Sequence, residues 1–245
     1  MAQFSYTMQD ASGNGVLASL TGKVSKNLEP HLERVPLLQG DILLEPGASS
    51  RSAYFPEAGK VSLVQTVSER VAEVAMIGRE GVVGGSDGLD IGELPGRAIV
   101  QIDGWALRLP VEALQEEAER NPSLRKVLLR HHRALFGQVF RSAACNAHHT
   151  IERRLARWLL TACDVVESGG MRLAHESIAT MLACRRPGVT VAMSELKRAG
   201  IIECGKRRIW ILKPQELEKA ACECYGAIKE DYARLGFRFG MTLAA

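Results

Sequence analysis

The stretch ATMLACRRPGVTVAMSELK, Ala179 to Lys197, sets two short apolar-periodic runs on either side of two arginines, a proline and a glycine. His175 to Leu182 reads as a short helix with Ile178, Ala179 and Leu182 on its apolar face. Ala179 is small enough for a second helix to cross closely. Cys184, Arg185 and Arg186 then make a turn, and Pro187 opens the next helix, where a missing N–H costs nothing because the first N–H groups lack internal partners anyway. Val189, Met193 and Leu196, at i, i+4 and i+7, supply the buried face of that second helix. The proline is a start signal, so this segment must fold as two crossed helices joined by a tight turn.

Two such helices, with cations at the N-terminus of the second, match the helix-turn-helix that lays its second helix in the major groove of DNA. An arginine there can donate two parallel hydrogen bonds to guanine O6 and N7, while other cations hold phosphates. Arg185 and Arg186 are therefore the leading candidates, followed by Gly188, Thr190, Val191, Ser194 and Lys197. Ala199-Gly200 ends the helix, and IIECGKRRIWIL follows as a hairpin with Lys206, Arg207 and Arg208 at or beside its tip. A basic hairpin directly after a helix-turn-helix is a winged helix whose tip reaches a phosphate backbone.

Charge supports that division of labour. From Arg120 to Lys213 there are 18 lysines and arginines against 6 acidic residues, a surplus of +12 inside a chain whose net charge is only +3. The basic part is expected to meet a polyanion and the rest is not. No apolar run approaches the roughly 18 residues of a membrane span and the N-terminus lacks signal-peptide regions, so a cytoplasmic protein without membrane contact is expected. All six cysteines lie in the C-terminal half, unlike a secreted disulfide framework, and read as reduced thiols.

Upstream, Val16 to Leu32 reads as an amphipathic helix through Leu17, Leu20, Val24 and Leu28. From Val35 to Leu109, short Val/Ile/Leu runs alternate with turn signals at Gly40-Asp41, Pro46-Gly47, Gly59, Gly78, Gly81 and Gly104, the texture of a small β-sandwich or jelly roll. After Pro110 a short helix around Leu114 leads to Asn121-Pro122, which opens a helix running to about Asn146. That helix carries two apolar stripes: Leu124, Leu128, Leu135 and Val139 on one side, and Leu129, Phe136 and Phe140 on another. One stripe can pack on the β domain and the other on a second subunit, and the first is assigned to the dimer. Ile151 to Val166 is a further helix, stopped by Gly169-Gly170.

With these residues in view, the chain resembles the Crp/Fnr superfamily of bacterial transcription regulators. The resemblance rests on HESIATMLACRRPGVT with ELKRAGII, on GDILLEPG and YFPEAGKVSLV, and on LARWLL, and it spans nearly the whole length. It implies an α+β architecture: a cyclic-nucleotide-binding-like β jelly roll over residues 1–120, a dimerisation helix over 121–148, and a winged helix-turn-helix with a C-terminal helical segment over 149–245. It implies a homodimer on a pseudo-palindromic site, with Arg186 matching the family's base-reading arginine and Arg185 a phosphate contact. Expected partners are double-stranded DNA, a second copy of the chain, RNA polymerase and an unidentified small-molecule effector. The position after Arg186, often acidic in the family, is Pro187 here, so a target sequence cannot be carried over.

The effector cassette departs from the family pattern. Gly84, Gly85 and Ser86 occupy the place of the ribose-holding carboxylate, Arg97 directly precedes Ala98 instead of standing one residue earlier, and Gly92-Glu93-Leu94 lies too close to Arg97 to serve. A pocket lacking the carboxylate and arginine matches a cyclic phosphodiester poorly, so no cyclic nucleotide is expected as cofactor. An Fe–S cluster is not expected either, because residues 1–144 contain no cysteine, and neither is enzymatic chemistry of the cupin type, because no histidine lies between His31 and His131. Cys145, His148 and His149 count as too few ligands for a metal within one chain, and Cys222-x-Cys224 reads as a pair of packed thiols rather than a strained disulfide, so no metal site is assigned. The competing reading is an interaction module whose jelly roll and winged helix bind proteins. Salt separates the two, since DNA binding releases counterions and weakens steeply as salt rises.

Overall fold

The computed structural model describes residues 13–20, 22–48, 50–89, 92, 95–163, 170–205 and 208–239. Two compact units emerge, one from Met1–Val61, Ile77–Ala134 and Leu235–Phe237, the other from Ser62–Met76, Leu135–Arg234 and Arg238–Ala245.

In the first unit, Asn14 caps helix α1 (Gly15–Ala18) by accepting from the Val16 and Leu17 amides, while its Nδ2 donates to the Pro56 and Gly81 carbonyls. Helix α2 (Gly22–Leu28) follows, and a 3-10 turn closes at His31. The single helix expected over Val16 to Leu32 is thus broken. Gly22 takes φ +46°, a left-handed conformation that no continuous helix contains. The apolar phase survives the break, with Val16, Leu17, Leu20, Val24 and Leu28 all buried.

The main sheet runs in the order β1 (Glu33–Leu37), β5 (Arg97–Pro110), β3 (Ser52–Val67), β4 (Arg70–Ile77), with β2 (Ile42–Leu44) also antiparallel to β5. Gly59 and Gly104, expected as turns, instead lie inside two long strands. A Cβ on Gly59 would stand 2.6 Å from the Ile102 carbonyl oxygen, and one on Gly104 would fall 2.2 Å from that of Ala58. The glycines permit two backbones to approach, which is the other meaning of glycine in a strand.

Helix α3 (Val111–Arg120) leads to α4 (Pro122–His148), which begins at Pro122 as its sequence predicts. His131, on α4, is 3% exposed, and its Nε2 accepts from the Val82 amide at 3.4 Å. A Cβ on Gly81 would stand 2.4 Å from that nitrogen, so the glycine leaves room for the ring. Burial, reinforced by His132, pushes the imidazole down to about 3. The native state therefore holds His131 neutral while the unfolded chain protonates it near pH 6.5, and stability is lost as pH falls through that window. Between about pH 8 and about pH 5 this group should cost roughly 2 kcal/mol. Urea unfolding of the wild type against His131→Gln, whose amide oxygen can still accept from Val82, should reveal a shallower pH dependence in the variant.

In the second unit, α5 (Ile151–Cys163), α6 (His175–Met181) and α7 (Arg186–Arg198) surround a core of Leu155, Trp158, Leu159, Ile178, Val189 and Met193. A three-stranded antiparallel sheet of β6 (Met171–Arg172), β8 (Arg208–Ile211) and β7 (Ile202–Gly205) adjoins α7, and α8 (Pro214–Ala220) and α9 (Cys224–Arg234) complete it. Residues 164–169, including the expected end of the α5 segment and Gly169, lie outside the described residues.

Candidate nucleic-acid interface

The turn between α6 and α7 is built by its backbone. The Leu182 amide donates to the Ile178 carbonyl, Ala183 takes φ +47°, and the Cys184 amide returns to the Ala179 carbonyl at 3.0 Å. That left-handed residue and its paired hydrogen bonds are a helix C-terminal stop. From α5, the buried Arg154 donates to the Leu182 carbonyl and fixes the turn on the core. Arg185 then sits extended (φ −81°, ψ 140°) at the N-cap, and Pro187 occupies the first turn of α7.

Val189, Ala192, Met193 and Leu196 face inward, leaving Arg185, Arg186, Thr190, Val191, Ser194 and Lys197 exposed on one side. Thr190 Oγ1 donates to the Arg186 carbonyl and Ser194 Oγ to that of Thr190, so each hydroxyl is held in place with lone pairs still facing outward. His175 Nδ1 stands 3.2 Å from the Thr190 hydroxyl. Arg186 Nε lies 3.9 Å from Glu176 Oε2, with the two side chains 67% and 73% exposed. So exposed a pair holds the guanidinium weakly and leaves it available to a stronger acceptor.

A Cβ on Gly188 would meet Ile151 Cδ1 at 2.7 Å, so glycine here lets α7 pack closely on α5 while the residue stays half-exposed. Arg208 is exposed on β8 opposite Gly205, and with Ala174, His175, Glu176 and Arg186 it lines an open groove of about 660 Å³. Lys206 and Arg207, the other wing cations, lie outside the described residues.

Residues 153–220 match the family model of the Crp-like helix-turn-helix domain. The chain is 31% identical to the transcriptional regulator LdrP of Thermus thermophilus over 133 residues, covering 49% of this chain and 68% of that protein. It is 27% identical to the global nitrogen regulator of Nostoc sp. PCC 7120, over 71% of this chain and 82% of the relative. The chain belongs to the Crp/Fnr superfamily of transcription regulators. The Crp/Fnr fold is shared with FixK2 from Bradyrhizobium japonicum (TM-score 0.65, 19% identity, 78% of this chain and 98% of that one). A Crp/Fnr-family regulator of known structure from Thermus thermophilus gives a TM-score of 0.61 at 24% identity, over 77% of this chain and 98% of the other. Among the described residues no helix is long and apolar enough to cross a membrane.

In this Crp/Fnr chain the residues expected to line an effector pocket are held mainly by the chain itself. Gly84 takes φ +78° beside the Tyr54–Val83 bridge, and a Cβ there would press on the Ser52 carbonyl at 3.0 Å. Gly85 and Ser86 are half-buried, and the Ser86 carbonyl accepts from the Leu89 amide. Arg97 is engaged by Glu45, Nε to Oε2 at 2.7 Å, and Ala98 is fully buried. Glu93 and Leu94 lie outside the described residues.

The dimer stripe needs correction. Leu124 and Leu128 are buried within the chain, and Leu135 and Val139 are half-buried. The large apolar side chains that α4 leaves to solvent are Leu129, Phe136 and Phe140, 45%, 59% and 63% exposed. Both stripes have helical spacing, and sequence alone could not say which one the chain itself would cover.

The sequence also undercounted a constellation. Cys145, His149, Cys222 and Cys224 converge, their ligand atoms all within 4.8 Å of one another. The i, i+4 spacing of Cys145 and His149 was visible, but their junction with Cys222-x-Cys224 needed the tertiary fold. Glu223, between the two cysteines, had no signal in the sequence. His148 is exposed and is not part of the group.

Proposed function

We propose that this protein is a homodimeric, sequence-specific transcription regulator that reads a two-fold symmetric site with Arg186 and is gated by something other than a cyclic mononucleotide. The observation that carries the reading is the exposed face of α7 bearing Arg185, Arg186, Thr190, Ser194 and Lys197, with Arg186 and Arg208 of the wing lining one open groove. Donors in that order suit base edges at the front of the helix and phosphates along its side. The solvent-facing Phe136 and Phe140, rings 4.7 Å apart, supply the seam for a second copy, which would present a second recognition helix. Gly84, Gly85 and Ser86, standing where an acid would be needed, support the exclusion of cyclic mononucleotides. RNA polymerase is the partner expected of a promoter-bound regulator.

Selection of bound fragments from a random duplex library tests this directly. Enrichment of a symmetric site without nucleotide supports the proposal; enrichment only with a cyclic nucleotide refutes its effector part. Arg186→Ala should relax base preference at one position per half-site and cost about 1–3 kcal/mol there, whereas Arg208→Ala should weaken all sequences alike and flatten the salt dependence. Equal loss on specific and random DNA for Arg186→Ala would remove that residue from the reading role. Binding insensitive to salt would favour the protein-interaction alternative.

A further inference from the structure

We infer that Cys145, His149, Cys222 and Cys224 form a closed tetrahedral site for one zinc ion that ties the two flanks of the winged helix-turn-helix together. The inference stands on different residues from the DNA interface and does not depend on it.

Geometry comes first. Zinc bound at about 2.3 Å by sulfur and about 2.0 Å by nitrogen places neighbouring sulfurs about 3.8 Å apart and sulfur and nitrogen about 3.5 Å apart. Cys145 Sγ lies 3.5 Å from Cys222 Sγ, Cys224 Sγ lies 3.7 Å from His149 Nδ1, and no pair in the group exceeds 4.8 Å. The sulfurs are too far apart for a disulfide, whose bond is about 2.05 Å long. They are too close for an iron–sulfur cubane, which holds each ligand on a different iron. Three soft thiolates and an imidazole are a zinc donor set, and four protein ligands leave no open position for catalysis.

The surroundings fit as well. His149 turns Nδ1 toward the sulfurs, and its Nε2 stands 3.0 Å from Glu223 Oε1, the arrangement in which a carboxylate orients a metal-bound histidine. Glu223 is itself held by Arg153 at 3.2 Å. Three thiolates around a divalent ion leave one net negative charge. Arg157 is buried within electrostatic reach of Cys145, Cys222 and Cys224, and its Nε has no hydrogen-bond partner. A buried guanidinium with an unpartnered N–H is costly beside neutral thiols and is compensated beside an anionic zinc–thiolate centre.

The location says what the ion would do. Cys145 is in the last turn of α4 and His149 just beyond it, while Cys222 and Cys224 lie between α8 and the start of α9. These ligands flank the Crp-like match at residues 153–220 on both sides. Zinc would therefore join the entry and the exit of the DNA-binding domain, closing the intervening chain into one loop.

Zinc content of the purified full-length protein, followed by replacement with cobalt(II), tests the site. We expect one zinc per chain and, with cobalt, intense visible bands together with a sulfur-to-cobalt charge-transfer band, the signature of a tetrahedral thiolate site. Cys222→Ser should abolish stoichiometric zinc, and Cys163→Ser, outside the group, should retain it. Should Cys222→Ser fail to fold, Glu223→Gln keeps all four ligands and should weaken zinc binding about ten- to a hundredfold. Iron with acid-labile sulfide, a Cys145–Cys222 disulfide in the protein as isolated, or zinc that persists unchanged in Cys222→Ser would each overturn the proposal.

Discussion

Replacing Phe136 and Phe140 together by aspartate is expected to yield a monomer and to lower affinity for a symmetric DNA site by at least about a hundredfold. The two rings sit one turn apart on α4 and are more than half exposed in the single chain. Each contributes roughly 1.5–3 kcal/mol when fully removed from water. A two-fold seam repeats every contact, so the double variant would bring four carboxylates into an apolar interface, where each must be desolvated without a partner. DNA affinity follows assembly, because linking two half-site readers raises avidity by about 10²–10⁴ without any new contact. Light scattering reads the oligomeric state and titration with a symmetric duplex reads the affinity. Val67→Asp, which charges a residue of similar exposure on β3, controls for a general effect of surface charge. A double variant that remains a dimer would place the seam elsewhere.

The helix-turn-helix was legible in the sequence because its information is local. A proline in the first helical turn, apolar residues in 3.6-residue phase and a following basic hairpin all report on neighbours within a few positions. The β-rich unit was legible as texture but not as strands. Gly59 and Gly104 look like turn residues, yet their role depends on a strand distant in sequence, and a single sequence does not reveal that close approach. Both apolar stripes of α4 were visible, but choosing the one that faces a partner required knowing which one the chain buries. The thiol and imidazole group failed for the same reason. Its halves are separated by the whole DNA-binding domain, and each half alone looks like packed thiols or a surface histidine.

Gly104→Ala gives the sharpest test of the strand reading, with an expected loss of about 3 kcal/mol or more. The added carbon would lie 2.2 Å from the Ala58 carbonyl oxygen, 2.3 Å from its carbon and 2.4 Å from the Gly59 nitrogen. Those are backbone atoms, so no side-chain rotation relieves the clash and the strands must part or buckle. A slip of register would be no remedy, because moving β5 by one residue would turn Ala98, Val100 and Ile102 away from the core they now fill. In a chain of this size the melting temperature should fall by about 6–12 °C. Gly40→Ala separates sterics from backbone conformation: Gly40 has φ +96° and open space where a Cβ would go, so its substitution should cost only about 1 kcal/mol. If calorimetry found the two variants equally stable, the approach of β3 to β5 would be looser than described, because Gly104, unlike Gly40, has no positive φ that a side chain would strain.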